Sequence, residues 1–314
     1  MLFRSYYFKT DKPCSPLSGG QQLTLSFYQD IIDPYGGGVV TTAYPFVGNN
    51  QWHFTTLVNA SETFCALDTE GKAYCWGDNN FGQLGNGSTT SSQFPVAVDT
   101  SGVLAGKTLS QIAASSGHIC ALDTQGQAYC WGGNSSGQLG NGSTDDSSIP
   151  VAVDTSGVLA GKTLTQIIVT ESYTCTLDTQ GQAHCWGSND YGQLGNGSTT
   201  NSSTPVAVDA SGVLAGKTLS QIIVAENYTC ALDTEGQAYC WGNNYHGQLG
   251  NGSTTDSSAP VAVDTSGVLA GKTLSQIVTG SDHICALDTE GKAYCWGLAP
   301  RSEERRVGKE CRSR

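Results

Sequence analysis

Methionine occurs once in 314 residues, and only 13% of the side chains are charged. Beside 40 glycines and many Thr, Ser, Asn and Val residues, these scarcities suit short strands joined by tight turns. No window keeps a 3.6-residue apolar stripe beyond two turns, and glycine interrupts every candidate, which excludes long helices. No apolar run approaches the roughly 18 residues that a spanning helix needs, so no membrane span is expected. Positive charge is also scarce. The formal net charge is −12, yet the last fourteen residues hold six positive and three negative side chains, which leaves −15 for the rest. Such a surface repels phosphate and argues against sequence-independent binding of DNA or RNA.

Chemistry-bearing constellations are missing too. The histidines at 53, 118, 184, 246 and 283 form no metal or catalytic set. His118 and His283 alternate with Tyr173 and Tyr228 at one repeat position, which suits structural hydrogen bonding. No Lys-Ser/Thr follows the glycine-rich stretches, and no serine, cysteine or carboxylate pair has a nucleophile context. The expectation is a non-enzyme without cofactor or metal. Met1 to Lys12 holds no apolar h-region, so no signal peptide is visible, and the N-terminus is read as incomplete.

What the chain does have is repetition. The stretch Cys65-Ala66-Leu67-Asp68-Thr69-Glu70-Gly71-Lys72-Ala73-Tyr74-Cys75-Trp76-Gly77 returns with its first cysteine at 120, 175, 230 and 285, a period of 55 residues. A period in this range means a solenoid, a propeller or an array. The stretch reads as a β-hairpin. A type I turn followed by a glycine bulge at Gly71 pairs Asp68 with Lys72, and therefore Leu67 with Ala73 and Cys65 with Cys75. The two cysteines then occupy a non-hydrogen-bonded pair with close Cα atoms, a spacing that suits a disulfide.

Five such pairs are expected, 65–75, 120–130, 175–185, 230–240 and 285–295, that is Cys65, Cys75, Cys120, Cys130, Cys175, Cys185, Cys230, Cys240, Cys285 and Cys295. The competing reading is buried free thiols acting as small apolar fillers. Metal binding is disfavoured because zinc cysteines usually sit two to four residues apart. Cys14 has no partner except Cys311. Twelve cysteines favour an oxidising compartment, so the expected location is extracellular or at the cell surface. The tryptophan after each second cysteine points to the opposite side of its strand, toward packing between units or, on the alternative reading, toward a ligand.

Each period continues with an Asn-rich loop holding Gly82-Gln83-Leu84-Gly85-Asn86-Gly87, then Pro95-Val96-Ala97-Val98-Asp99, then Lys107-Thr108-Leu109-Ser110-Gln111-Ile112. About four short strands per period suit one blade of a β-propeller. The fixed order of Cys-Ala-Leu, a polar Gly turn, Tyr-Cys-Trp-Gly, Gly-Gln-Leu-Gly-Asn-Gly and Pro-Val-Ala-Val resembles the regulator of chromosome condensation repeat, particularly its two-cysteine bacterial version. The resemblance implies a seven-bladed propeller. Residues 51–297 supply about five four-stranded blades, so the expected fold is all-β, an incomplete and open seven-bladed propeller.

Residues 1–50 lack the repeat and are read as a degenerate blade or the end of a preceding domain, with Leu23–Tyr28 and Val39–Tyr44 alternating like strands. Residues 298–314 are read as a disordered tail. From Arg301 on they resemble a translated sequencing adapter, with a natural basic tail as the alternative.

Near-identical copies differ chiefly in their loops. Residues 78–81 read Asp-Asn-Asn-Phe, against Gly-Asn-Ser-Ser at 133–136, Ser-Asn-Asp-Tyr at 188–191 and Asn-Asn-Tyr-His at 243–246. Exposed aromatics anchor interfaces, so Phe81, Tyr191, Tyr245 and His246 are the candidate contacts, with drift of unselected loops as the alternative. Asn86-Gly87-Ser88 and its copies match a glycosylation acceptor but read first as turns. The resemblance extends to exchange factors, light sensors and secreted enzyme inhibitors, and no residue here carries over any of those activities. The expected function is a non-enzymatic scaffold for an unidentified protein partner. A carbohydrate- or ligand-binding module, an enzyme-associated domain and a purely structural surface repeat are the alternatives.

Overall fold

The computed structural model describes residues 53–298 and three short strands before them, β1 (Leu23–Thr24), β2 (Gln29–Ile32) and β3 (Val39–Thr42). The tail from 299 onward, Cys14 and Cys311 lie outside the described residues. Among the described residues there is no helix, and besides a two-stranded β2–β3 sheet five antiparallel blade sheets follow one another along the chain. Blade one consists of His53–Ala60, Thr63–Asp68, Ala73–Gly77 and Ser92–Ala97, with β1 added beside its first strand. Blades two, three and four repeat the four-strand meander over 109–152, 164–207 and 219–262.

Blade five has three strands, Leu274–Thr279, His283–Asp288 and Ala293–Gly297. The array is open, since among the described residues blades five and one share no strand. Ahead of the blades, β2 pairs with β3, Ile32 opposite Val39, while Leu23–Thr24 of the expected Leu23–Tyr28 run forms β1 on blade one and 25–28 lie outside the described residues.

The cysteine hairpin forms the second and third strands of every blade. Asp68 N donates to Lys72 O at 3.0 Å and Gly71 N to Asp68 O at 3.1 Å, while Gly71 takes φ 74°. That closure sets Leu67 opposite Ala73 and Cys65 opposite Cys75. All five pairs share the register, with Cα atoms 4.0–4.1 Å apart and sulfurs bonded. Asp68 Oδ1 fastens the turn by accepting the Glu70 and Lys72 amides at 2.9 Å each, and Asp123, Asp178, Asp233 and Asp288 do the same in their blades. Such self-capping is why Asp suits this turn.

The second carboxylate oxygen ties the turn to its surroundings. Tyr129, Tyr239 and Tyr294 hydroxyls donate to Oδ2 of Asp123, Asp233 and Asp288 at 3.0–3.2 Å. Lys107 and Lys162, from the links between blades, lie 3.0 Å from Oδ2 of Asp123 and Asp178. Burial pushes these two carboxyls up, but the turn amides and the lysine outweigh it and hold both below the usual range. In blade three His184 replaces the tyrosine. Its Nε2 meets Asp178 Oδ2 at 3.2 Å, while Nδ1 is buried without a partner.

Blades stack with the cysteine face of one against the tryptophan face of the next. Cys65, Cys75, Leu67 and Leu84 pack on Ile112, Ile119 and Trp131, and three further clusters repeat that pattern down the array. Trp131, Trp186 and Trp241 are fully buried, which places them in packing rather than in ligand contact. Their Nε1 atoms donate to the carbonyls of Gln83, Gln138 and Gln193 in the preceding blade at 2.8–3.0 Å. Each indole covers a glycine. A Cβ on Gly140 (φ +70°) stands 2.6 Å from Trp186 Nε1, whereas one on Gly161, also at φ +70°, meets nothing within 4 Å.

Two stability predictions follow from this stacking and from the turn network. Gly161→Ala carries only the left-handed backbone cost, about 1 kcal/mol, whereas Gly140→Ala adds the clash with the indole and exceeds it by about 2 kcal/mol in urea unfolding. His184→Tyr removes an orphaned buried nitrogen and restores the hydroxyl bond of the other blades, so it raises stability by about 1 kcal/mol. Unfolding midpoints of the three variants check both statements.

Candidate functional site

In a four-strand meander the first-to-second and third-to-fourth connections lie at one end, and the hairpin turn and the link to the next blade lie at the other. The sequence distributes charge unequally between these ends. Lys72 and Lys292 in the hairpin turns and Lys107, Lys162, Lys217 and Lys272 in the links are all at the turn end, and residues 53–298 contain no arginine. At the loop end the first-to-second connections and the residues beside them carry Glu62, Glu171, Glu226 and Asp282. The third-to-fourth connections add Asp78, Asp145, Asp146, Asp190 and Asp256. Nine carboxylates therefore share the loop end with no lysine or arginine.

The long loops are held from within. Asn79 is fully buried; its Oδ1 accepts Leu84 N at 2.8 Å and its Nδ2 donates to the Ser88 and Thr90 carbonyls. Asn134, Asn189 and Asn244 repeat those bonds. Gln83 Oε1 accepts Phe81 N at 2.9 Å, and its Nε2 reaches Ser116 O of the next blade at 3.2 Å. Further out, Gly87 N donates to Ser148 O of the next blade's fourth strand at 2.8 Å. The loops of blades one to three, in which Gly142 and Gly197 repeat the Gly87 bond, are thus platforms spanning two blades, and the blade-four loop keeps the same internal bonds around Asn244. Gly82, Gly85 and Gly87 take φ between 68° and 79°, as turn glycines do. Asn86 Oδ1 accepts Ser88 N at 3.1 Å, the local bond of an Asx turn.

All four candidate residues stand on these loops at the same end. Phe81 is 49% exposed in blade one, Tyr191 40% in blade three and Tyr245 75% in blade four. Tyr245 meets the half-buried His246 edge to face, with ring centroids 4.8 Å apart. Phe81 and Tyr191 sit on other loops, so the structure joins one pair and presents the other two separately. Gln193 Oε1 and Gln248 Oε1 accept the Tyr191 and His246 amides as Gln83 does for Phe81. The candidate list omitted the acidic residues around these aromatics. Their signal was the position of every lysine relative to the strand order.

Other features give no chemical centre. Among the described residues, no three His, Cys, Asp or Glu side chains gather as metal ligands. At the turn end Gln127, Thr155, Leu159 and Lys162 border a shallow dimple without room for a water molecule, and no carboxylate or aromatic side chain lines it. No described helix is long and apolar enough to cross a membrane.

A family model described as RCC1-like domain matches residues 39–309. The human E3 ubiquitin-protein ligase HERC2 (Homo sapiens) is 30% identical over 236 residues, 74% of this chain and 5% of HERC2. The ultraviolet-B receptor UVR8 of Arabidopsis thaliana is 30% identical over 226 residues, 72% of this chain and 49% of the receptor. The chain therefore spans half or less of these curated relatives. Yeast RCC1 (Prp20), in its crystal structure with Kap60, superposes with a TM-score of 0.64 at 22% identity, over 82% of this chain and 58% of that one, a likeness of fold.

Beneath the loop end, side chains of one blade reach into the next. Tyr173 donates to the Ala225 and Tyr228 carbonyls, and Tyr228 to those of Gly280 and His283, at 2.7–2.9 Å. At the equivalent position His118 contacts Ser115 Oγ through Nδ1 at 3.1 Å and Thr174 Oγ1 through Nε2 at 2.9 Å. Burial pushes the His118 imidazole down to about 3. Because that lies below its unfolded value near 6.5, the unfolded chain binds the proton first. The stability contributed by neutral His118 is complete above pH 6.5 and falls as pH drops toward 3. His118→Tyr removes up to about 1.4 kcal/mol per pH unit from the stability slope between pH 6 and 5. Urea unfolding at those two pH values checks it.

Proposed function

Because the chain belongs to the RCC1-like domain family, we propose that it is a non-enzymatic β-propeller scaffold that binds a protein partner through its loop end, in an oxidising, extracellular or cell-surface setting. One observation carries the reading. The lysines of residues 53–298 all lie at the turn end, while the loop end combines uncompensated carboxylates with the exposed rings of Phe81, Tyr191 and Tyr245. Aromatic anchors within a field of one sign suit a partner surface bearing arginine or lysine, which gains both charge complementarity and ring contact. Yeast RCC1 is itself found with a protein bound, Kap60. The acidic face also disfavours nucleic acid as a partner. Five disulfides support the oxidising setting.

An arginine-rich peptide tests the surface by titration calorimetry in low and high salt. Replacing Phe81, Tyr191, Tyr245 and His246 together by alanine leaves the number of carboxylates and lysines unchanged. The expected outcome is at least tenfold weaker binding, with hydrogen-exchange protection in the wild type confined to 78–81, 188–191 and 243–246. Equal affinity of the two proteins, or protection at the turn end, rejects the reading.

A further inference from the structure

Two repeat positions face each seam between neighbouring blades. The preceding blade contributes the first residue of its second strand, in turn Thr63, His118, Tyr173 and Tyr228. The following blade contributes the second residue of its third strand, Tyr129, His184, Tyr239 and Tyr294. Among the described residues only the seam between blades two and three has histidine at both positions, whereas the two seams after it have tyrosine at both. Both imidazoles are buried. His118 is tied to the seat of Trp186: its Nε2 meets Thr174 Oγ1 at 2.9 Å, Thr174 donates to Gln138 O at 2.9 Å, and Trp186 Nε1 donates to the same carbonyl at 2.8 Å. His184 stands two residues before that indole on the same face of the strand, with Nε2 3.2 Å from Asp178 Oδ2 and Nδ1 without a partner. The other groups facing the two rings offer little compensation for charge. Ser115, Thr174 and the Cys120–Cys130 disulfide beside His118 are neutral, and the Glu171 carboxylate is exposed, accepting Ser116 Oγ. Asp178 beside His184 is already shared with Lys162 at 3.0 Å.

We propose that the contact between blades two and three is an acid-released seam, the place where the array parts in mildly acidic solution while the tyrosine-bridged seams stay shut. A proton on either ring puts charge into a dry contact, which is costly. On His184 the added N–H also finds no acceptor. Opening the seam hydrates both rings and lifts these costs. Burial pushes His118 down to about 3, and it pushes His184 down against the opposing pull of Asp178. An exposed histidine takes up its proton at about pH 6.5, so the open seam binds the proton first and gains on the closed one as pH falls below that value. For His118 alone the opening constant rises up to about 25-fold between pH 7 and 5. Tyrosine hydroxyls ionise at about pH 10 and stay neutral throughout that range. The turn aspartates recur in every blade and so do not distinguish one seam from the next. Phe81 lies on one side of this seam and Tyr191 and Tyr245 on the other, so opening also divides the surface to which the partner contact is assigned, a consequence that rests on that assignment.

Amide hydrogen exchange of the full chain tests the seam directly, because equivalent amides bridge it and the next one. Ile167 N donates to Gln111 Oε1 at 3.0 Å and Gly142 N to Ser203 O at 2.9 Å across the seam between blades two and three. Ile222 N donates to Gln166 Oε1 at 3.1 Å and Gly197 N to Ser258 O at 2.8 Å across the seam between blades three and four. Exchange is followed residue by residue by NMR at pH 7, 6 and 5 and corrected for the intrinsic rate at each pH. Protection at Ile167 and Gly142 is expected to fall at least tenfold from pH 7 to 5, and at least five times further than at Ile222 and Gly197. A smaller fall, or one matched at the second pair of amides, overturns the proposal. The double variant His118→Tyr, His184→Tyr gives this seam the side chains of its neighbours, and its response is expected to match that of the second pair. A retained excess in that variant also overturns the proposal, and the comparison within the wild type decides the matter without any variant. No partner is present in this measurement, so its outcome is separate from that of the peptide titration.

Discussion

Blades two to five each depend on the seat that the preceding one provides for their tryptophan. Trp131 needs the Gln83 carbonyl as acceptor for its indole N–H, a floor without a Cβ at Gly85, and the apolar wall of Cys65, Cys75 and Leu67. A single hairpin sheet leaves that indole in water, and the cysteine face on its other side as well. Stability therefore resides in the contact between neighbours, as in other repeat arrays. The disulfide supports this contact from inside the sheet, where it keeps a flat, rigid wall for the next indole.

The same seat organises the loop surface. Gln83 gives its backbone carbonyl to Trp131, its side-chain oxygen to the Phe81 amide and its side-chain nitrogen to Ser116 O in the next blade. One residue thus links the packing of two blades to the orientation of an exposed aromatic. With Asn79 saturating the loop from below, Phe81 is displayed on a platform that is already ordered, so the partner contact proposed for it carries little further ordering cost. The two ends then divide the work. At the turn end six lysines offset part of the charge of twelve carboxylates, Lys107 and Lys162 against the buried Asp123 and Asp178, whereas the loop end has no lysine or arginine.

Much of this was legible in the residues. Gly71 and Asp68 determine the hairpin closure, and closure alone places Cys65 opposite Cys75. The period of 55 and its glycines determine the blade count and the all-β class. Which face meets which was not legible, because alternation gives two sides of a strand without naming the neighbour on either. The charge asymmetry was hidden for a related reason: Lys107 and Asp78 are ordinary surface residues until the meander assigns them to opposite ends. Register shifts between Leu109 and Gln111, and between Cys130 and Gly132, also escaped, since bulges in these strands leave the apolar pattern intact.

Variation between the copies has two physical origins, and separating them identifies the positions free to serve a partner. At 118 and 173 the change from His to Tyr is accompanied by a change of acceptor. His118 stops at Thr174 Oγ1, while Tyr173 extends past Thr229 to the Ala225 and Tyr228 carbonyls. The hydroxyl of Ser115 bonds His118, whereas Ala225 has none and offers its carbonyl to Tyr173. Those differences are settled by the fit between blades and carry no information about a ligand. Tyr191 and Tyr245 enter no such fit between blades; among their described hydrogen bonds only the backbone amides are engaged, and the two residues are 40% and 75% exposed. An exposed ring that packing does not require gains nothing from the fold, and for that reason these positions, rather than 118 and 173, are the ones to which the proposed partner contact is assigned.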